Sequence, residues 1–382
     1  TYSSYQVLFG EEEHEFTALE NGLKKCSNIV TTWTQINNWN AKKNTWMTQQ
    51  FTDIDVEEME KEVQMLFKDA YALHKKVDSP ATEMLKDGVS DLKNMMPTIL
   101  ELGNPNLRER HWQNIFKLIK MQYHGVDMPF DLETLIKAGI MDFKDQVGDI
   151  SGISSGEAQL EQSLIKVTSA WENLSFLVMN HRDQHNLFIL GSLEEIFATL
   201  EDNQVTLMTM LGSRFIKTIQ EEVESWSKKL AILSETLDEW MVCQKTWMYL
   251  ENIFGAEDIQ KQLPAESQKF LIVDRSWKAI MARTQKDPLC LSALIPLESK
   301  DGEIQLLDQF NMNNDALDSI QKSLEEYLET KRMAFPRFYF LSNDELLEIM
   351  SQTRDPHAVQ PHVGKCFDAI KRIKFGEKKQ AH

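Results

Sequence analysis

The sequence predicts a mainly α fold: an elongated multi-helix bundle with one very long helix and one or two small β-hairpin or strand patches. Three observations carry that expectation. Glycine and proline are scarce, at 15 and 10 in 382 residues, which suits helices better than a many-turned β protein. Five polar residues stand three positions before a glutamate at the head of an apolar periodic run: Asp55/Glu58, Asn106/Glu109, Ser154/Glu157, Ser192/Glu195 and Ser342/Glu345. Residues 213–254 contain no Gly or Pro. There Ile216, Ile219, Val223, Trp226, Leu230, Leu233, Leu237, Trp240 and Trp247 recur in steps of three and four, with Gln244 the one interruption. At about 1.5 Å per residue, an unbroken helix over this stretch spans roughly 63 Å. Its reverse face, with Glu221, Glu222, Lys228, Lys229, Glu235 and Asp238, is solvated.

The elements follow in order. Residues 1–52 are rich in Trp and Asn and loosely helical, with Trp33, Trp39 and Trp46. A first set of bundle units covers 53–212. Asp55 opens a helix through Val56, Met59, Val63 and Leu73. Ser79-Pro80 opens the next, which Pro97 kinks or restarts because proline lacks the donor. A helix runs from Asn106 through Trp112 and Phe116, and a short one runs from Asp131 to Gly139. The glycine-rich stretch 148–156 reads as a flexible connector, after which Ser154 opens another helix. A hairpin is expected at 176–190, then a helix from Ser192 to Leu211. The spanning helix occupies 213–254 and a second bundle unit 255–375. Within that unit Pro264 opens a helix, 298–303 is a polar loop, and a long helix runs to Lys331. Arg337-Phe338-Tyr339-Phe340-Leu341 reads as an aromatic strand. Pro361 starts a last helix through Phe367, Ile370 and Ile373. Residues 376–382 form a tail.

The net charge of −18 disfavours nucleic acid, anionic lipid and acidic filaments as direct partners. Cys26, Cys243, Cys290 and Cys366 are widely spaced, as for reduced intracellular thiols rather than a disulfide frame. The first residue is not Met, and the chain stops just past a helical pattern, so a segment of a longer protein is expected. No site with catalytic spacing emerges. The stretch 148–156 lacks the Lys-Ser/Thr pair of a phosphate loop. His181 and His185 read as a solvated turn rather than a zinc pair. His357 and His362 have no acidic or Cys partner at ligand spacing. No cofactor or metal is expected.

Several strings resemble one family. Leu107-Arg108-Glu109-Arg110-His111-Trp112 is similar to an element of dynein heavy chains. So are Trp247-Met248-Tyr249-Leu250-Glu251 with the following Asp258 to Pro264, and the run from Ile320 through Lys331-Arg332-Met333-Ala334-Phe335-Pro336 to Ser342. Together they resemble the linker of those chains over about residues 53–375, and the run 341–353 looks axonemal, of inner-arm kind. The resemblance implies a lever arm that bends and straightens over a motor ring, with 1–52 leading toward the tail. The ring of the same heavy chain, the tail and associated subunits are the implied partners, with no nucleic acid, membrane or direct microtubule contact. ATP-binding motifs of the family are absent, so the segment itself is expected not to be an enzyme. A static helical scaffold is the alternative, and a hydrolase with an unrecognised site a distant third. Candidate hinges are Gly191, Gly212, Ser213, Gly255 and Ala256, the Gly255 side being favoured because Pro264 follows. The two helix-end glycines could equally be ordinary left-handed caps. Candidate ring-facing residues are Phe335, Arg337, Phe338, Tyr339, Phe340, Phe367, Ile370 and Ile373.

Overall fold

The computed structural model describes residues 2–10, 16–125, 128–182, 187–299, 302–351 and 355–375. Among them the chain is mainly helical, with fourteen α-helices and two two-stranded antiparallel sheets. It divides into two compact units, 1–160 and 161–382, each described by itself.

The first unit contains α1 (Tyr2–Phe9), α2 (Thr17–Thr48), α3 (Val56–Lys76), α4 (Pro80–Leu102), α5 (Glu109–Leu118), α6 (Leu132–Lys137) and the first part of α7 (Lys144–Glu172). Asp55 caps α3, accepting from the backbone N–H of Glu57 and Glu58 at 3.1 and 3.0 Å, as its spacing predicts. Ser79 and Thr82 form a reciprocal box at the head of α4. Pro97 does not restart a helix: α4 runs through it as one element. The proline sits on the exposed face, where the carbonyl it leaves unpaired is open to water. The core gathers Val63, Val89, Ile99, Phe116, Leu132 and Leu135, all fully buried. A cluster of Phe51, Trp112, Phe116 and Phe130, with centroids 5.1–6.3 Å apart, seals one end of it.

The glycine-rich stretch is not a connector. It is helical, inside α7, and Ser154 and Glu157 lie in mid-helix rather than at a start. Ser151, Ser154 and Glu157 face inward. The Asn104 side chain donates to Ser151 Oγ and Ser155 Oγ, both at 2.8 Å. Gly148 and Gly152 look into open space. Tertiary hydrogen bonds here override the low helix propensity of glycine. The expected Asn106 cap is displaced as well: α5 starts at Glu109, and His111 Nδ1 accepts from the backbone N–H of Arg108 at 3.1 Å.

The second unit holds the rest of α7, β1 (Val178–Asn180), β2 (Phe188–Leu190), α8 (Glu194–Leu211), α9 (Gln220–Phe254), α10 (Glu257–Gln262), α11 (Pro264–Lys286), β3 (Leu297–Ser299), β4 (Gly302–Ile304), α12 (Leu306–Ala334), α13 (Asn343–Ser351) and α14 (Val363–Cys366). The expected hairpin forms, pairing Val178 with Leu190 and Asn180 with Phe188. The helix after it starts at Glu194, and Ser192 Oγ accepts from the Glu194 N–H. Ser342 and Glu345 make their capping box, at 2.9 and 3.3 Å.

Four expectations are corrected in this unit. The loop at 298–303 is the hairpin β3–β4, whose Gly302 has φ +121, a conformation open to glycine. The aromatic strand at 337–341 is a 3-10 helix, Pro336–Phe340, because Pro336 starts a turn and Phe338 and Leu341 bond back three residues. The last helix from Pro361 ends at Cys366, where Phe367 turns extended at φ −144. Ile370 and Ile373 therefore lie outside any helix. His181 is buried rather than solvated, and His185 lies outside the described residues, as does the tail 376–382.

Candidate functional site

The long helix α9 packs against α8, α11 and α12 in the second unit. It is shorter than its sequence period suggests. Residues 213–219 form a turn and a 3-10 segment, Ile216–Thr218, and α9 begins at Gln220. Its 35 residues span about 52 Å. Ile216 and Ile219 continue the apolar period but are only half-buried, whereas Val223, Leu230, Leu233, Leu237, Trp240 and Trp247 are fully buried.

Aromatic pairs lock this row to its neighbours. Trp247 stacks on Trp277 of α11 at 5.2 Å and 19°, and Phe254 stacks on Phe270 at 5.3 Å. Trp240 meets Phe310 of α12 at 4.9 Å and Phe176 at 5.3 Å. The Trp247 indole donates to Asp274 at 3.2 Å, and Lys278 pairs with the other oxygen of that carboxylate at 2.6 Å. On α12, the Asn314 amide donates to the Glu239 carbonyl and carboxylate at 3.0 and 2.7 Å.

Gln244, the apparent defect in the row, is a clamp. Its buried amide donates to the Leu190 carbonyl at 2.9 Å, and its oxygen accepts from the Leu190 N–H at 2.8 Å. The strand β2 is thereby tied to α9 by a pair of bonds no apolar residue could make. Two helical turns on, Glu251 faces His181 at 3.7 Å and Arg182 at 3.5 Å, with the His181 ring edge-on to Trp247. Nothing in the sequence spacing pointed to Gln244, Glu251 or His181 as a set, since their partners lie more than fifty residues away.

The candidate hinges differ in how firmly they are held. Gly191 donates to the Leu177 carbonyl at 2.7 Å, and a side chain there would meet Leu177 at 2.8 Å, so it is a close-approach position. Gly212 and Gly255 cap α8 and α9, but both are right-handed, at φ −78 and −66. The left-handed cap reading is corrected accordingly. Around Gly255 and Ala256, Ile253, Phe254 and Ile259 are buried. Around Gly212 and Ser213, the 3-10 segment buries no residue at all.

The aromatic surface is exposed in part. Phe335, Arg337, Tyr339, Phe340, Ile370 and Ile373 are exposed, Tyr339 and Phe340 at 54% and 64%, while Phe338 and Phe367 are half-buried and Leu341 is buried. Arg337 lies over the Phe367 ring at 5.2 Å. Beside this surface Glu345 is held down to about 2 by Lys365 and by the Ser342 backbone N–H. An open cleft of about 360 Å³ between α9, α10 and α13 is rimmed by Tyr249, Asn252, Asp344 and Glu348. Burial, with Asp344 next, pushes the Tyr249 phenol up to about 12.

Burial pushes the Cys243 and Cys290 thiols up to about 12, so neither is a thiolate near neutrality. Among the described residues no helix is long and apolar enough to cross a membrane.

Comparison with known proteins adds the lineage. Residues 19–382 match the family model described as dynein heavy chain, N-terminal region 2. The chain is 41% identical over 375 residues to dynein axonemal heavy chain 6 of Homo sapiens, covering 98% of this chain and 9% of that protein. It is 38% identical over 371 residues to human dynein axonemal heavy chain 2, covering 96% and 8%. It is 34% identical over 382 residues to dynein axonemal heavy chain 1 of Rattus norvegicus, covering 98% and 8%. The chain thus spans under a tenth of the length of these relatives.

Proposed function

Because the chain belongs to the dynein heavy chain family, we propose that it is a segment of that protein's linker, a lever arm. It bends and straightens as an ATP-driven motor ring turns over, and passes that motion toward the tail to drive microtubule sliding in the axoneme of a cilium or flagellum. The observation that carries this reading is α9: one unbroken helix of 35 residues with its apolar row sealed along α11 and α12. A lever must resist bending along its length, and a close-packed seam deforms only in discrete steps. The candidate hinges are the turn around Gly212 and Ser213, whose following 3-10 segment buries no residue, and the corner at Gly255 and Ala256. The exposed surface of Phe335, Arg337, Tyr339 and Phe340 is a docking face for the ring of the same heavy chain. ATP binding and hydrolysis belong to that ring, not to this segment.

The test is a pair of distances in an intact heavy chain carrying this sequence. Spin labels go at Val205→Cys on α8 and Met312→Cys on α12, both exposed positions. The lever reading expects two distance populations that exchange when ATP is added. A second pair, Ile232→Cys with Leu271→Cys, brackets Gly255, and a change there alone moves the hinge to that corner. Single, ATP-independent distances at both pairs would leave a static scaffold as the correct reading.

A further inference from the structure

The cleft between α9, α10 and α13 combines an apolar lining with an unanswered negative charge. Its volume of about 360 Å³ falls within the range of pockets that hold compact ligands, about 300–1,000 Å³. Ile253, Ile259 and Leu347, all buried residues, supply the apolar part. The carboxylates of Asp344 and Glu348, both exposed, stand one turn apart on α13. At that spacing their Cβ atoms lie about 6 Å apart on one helix face, where like charges oppose the helix that carries them. Asn252 and Ile253 belong to the last turn of α9. That turn is the negative end of the helix dipole, and no basic residue of α9 answers it there. Among the described residues that line the cleft there is no Lys or Arg.

The surroundings say which cation fits. Burial first, then the carboxylates of Asp344 and Glu325, push the Tyr249 phenol up to about 12. Of the neighbouring cations, Lys365 pairs with Glu345, and His362 touches one oxygen of Glu348 at 3.1 Å. A bare metal ion suits the cleft poorly. Among the described residues no three His, Cys, Asp or Glu side chains gather to hold one, and a hydrated ion gains nothing from Ile253, Ile259 and Leu347. A cation on an apolar stem uses both parts of the lining. A guanidinium does so better than an ammonium, because its planar fork bridges two carboxylates and stacks on an aromatic ring such as Tyr249. A free amino acid is disfavoured, since its own carboxylate would lie beside Asp344 and Glu348 with no cation to receive it.

We propose that this cleft binds an arginine side chain presented by a partner polypeptide. The guanidinium bridges Asp344 and Glu348 beside the Tyr249 ring, and the methylene stem lies on Ile253, Ile259 and Leu347. The net charge of −18 favours the approach of a basic segment in the same sense. The site stands whether the chain is a lever or a static scaffold.

The test titrates the folded 382-residue chain with Nα-acetylarginine methylamide, which mimics an arginine within a peptide. The neutral citrulline analogue, free arginine and spermidine are titrated beside it, each followed by saturation-transfer NMR. The acetylarginine probe is expected to bind at least about ten-fold tighter than the other three, and less tightly as salt rises. The double variant Asp344→Asn with Glu348→Gln should lose about ten-fold or more in affinity for it. Glu235→Gln, on α9 outside the cleft, should bind it normally. Equal binding of the citrulline analogue, undiminished binding by a folded double variant, or no saturable binding of the acetylarginine probe overturns the proposal. Free arginine or spermidine binding as tightly as the probe assigns the cleft to a small molecule and overturns it too. The probe comparison uses the unaltered chain, so it decides the question even where the double variant does not fold.

Discussion

Gly103 and Gly212 end their helices with nearly the same backbone, at φ −81 and −78, yet a methyl group would meet different surroundings. At Gly103 it would overlap the Val56 side chain; at Gly212 it would come no closer than 3.5 Å to a backbone oxygen. Gly103→Ala is therefore expected to cost about 1–3 kcal/mol by overpacking. Gly212→Ala is expected to be neutral or to add up to about 1 kcal/mol by restricting the unfolded chain. Urea unfolding of both variants checks the contrast, and equal effects would undo the packing argument. His111 gives a second residue-scale outcome. Burial lowers its pKa below the usual 6.5, outweighing the nearby Glu157. Its Nδ1 already accepts the Arg108 N–H, so a proton there breaks the start of α5. As pH falls through 6.5 the unfolded chain takes up the proton first, so stability drops from there down to the folded pKa. His111→Asn should flatten that part of the stability–pH curve; an unchanged slope would show that another group titrates.

At the scale of elements, Gln244 decides how the first hairpin is held. Gln244→Leu keeps the bulk but strands both the N–H and the carbonyl of Leu190 in a buried site, at an expected cost of about 1–3 kcal/mol. Hydrogen exchange at Leu190 should rise in that variant; unchanged exchange would mean the clamp is idle. This element was half legible in the sequence. The hairpin's alternating apolar runs and the period of α9 are local, and both could be read directly. The bonds between them join residues 54 apart and leave no periodic trace. The same division explains the misreadings. Asp55 and Ser342 cap as their spacing predicts, because a cap is a bond within four residues. The glycines of 148–156 suggested a break, because the sequence does not show that Asn104 and Arg110 would hold Ser151, Ser155 and Glu157 in a helix. Ile216 and Ile219 extended the period of α9 by two places without extending the helix.

The whole molecule sorts its thiols by depth. Cys243, Cys290 and Cys366 are buried and Cys26 is exposed, so the folded 382-residue chain should react rapidly at one thiol and at the other three only on unfolding. Mass spectrometry after brief alkylation gives the count, and two or more fast thiols would contradict the burial of the second unit's core. The aromatic clusters follow the same two-unit division, with Phe51, Trp112, Phe116 and Phe130 in one unit and Trp240, Trp247, Trp277 and Phe310 in the other. The stacked indoles of Trp247 and Trp277 have one more consequence. Two identical chromophores at 5.2 Å and 19° share their excited states, so they should give an exciton couplet in the ultraviolet circular dichroism. Trp277→Phe should erase the couplet while the helical signal stays, giving the long helix a label-free optical signature of its own seating on α11.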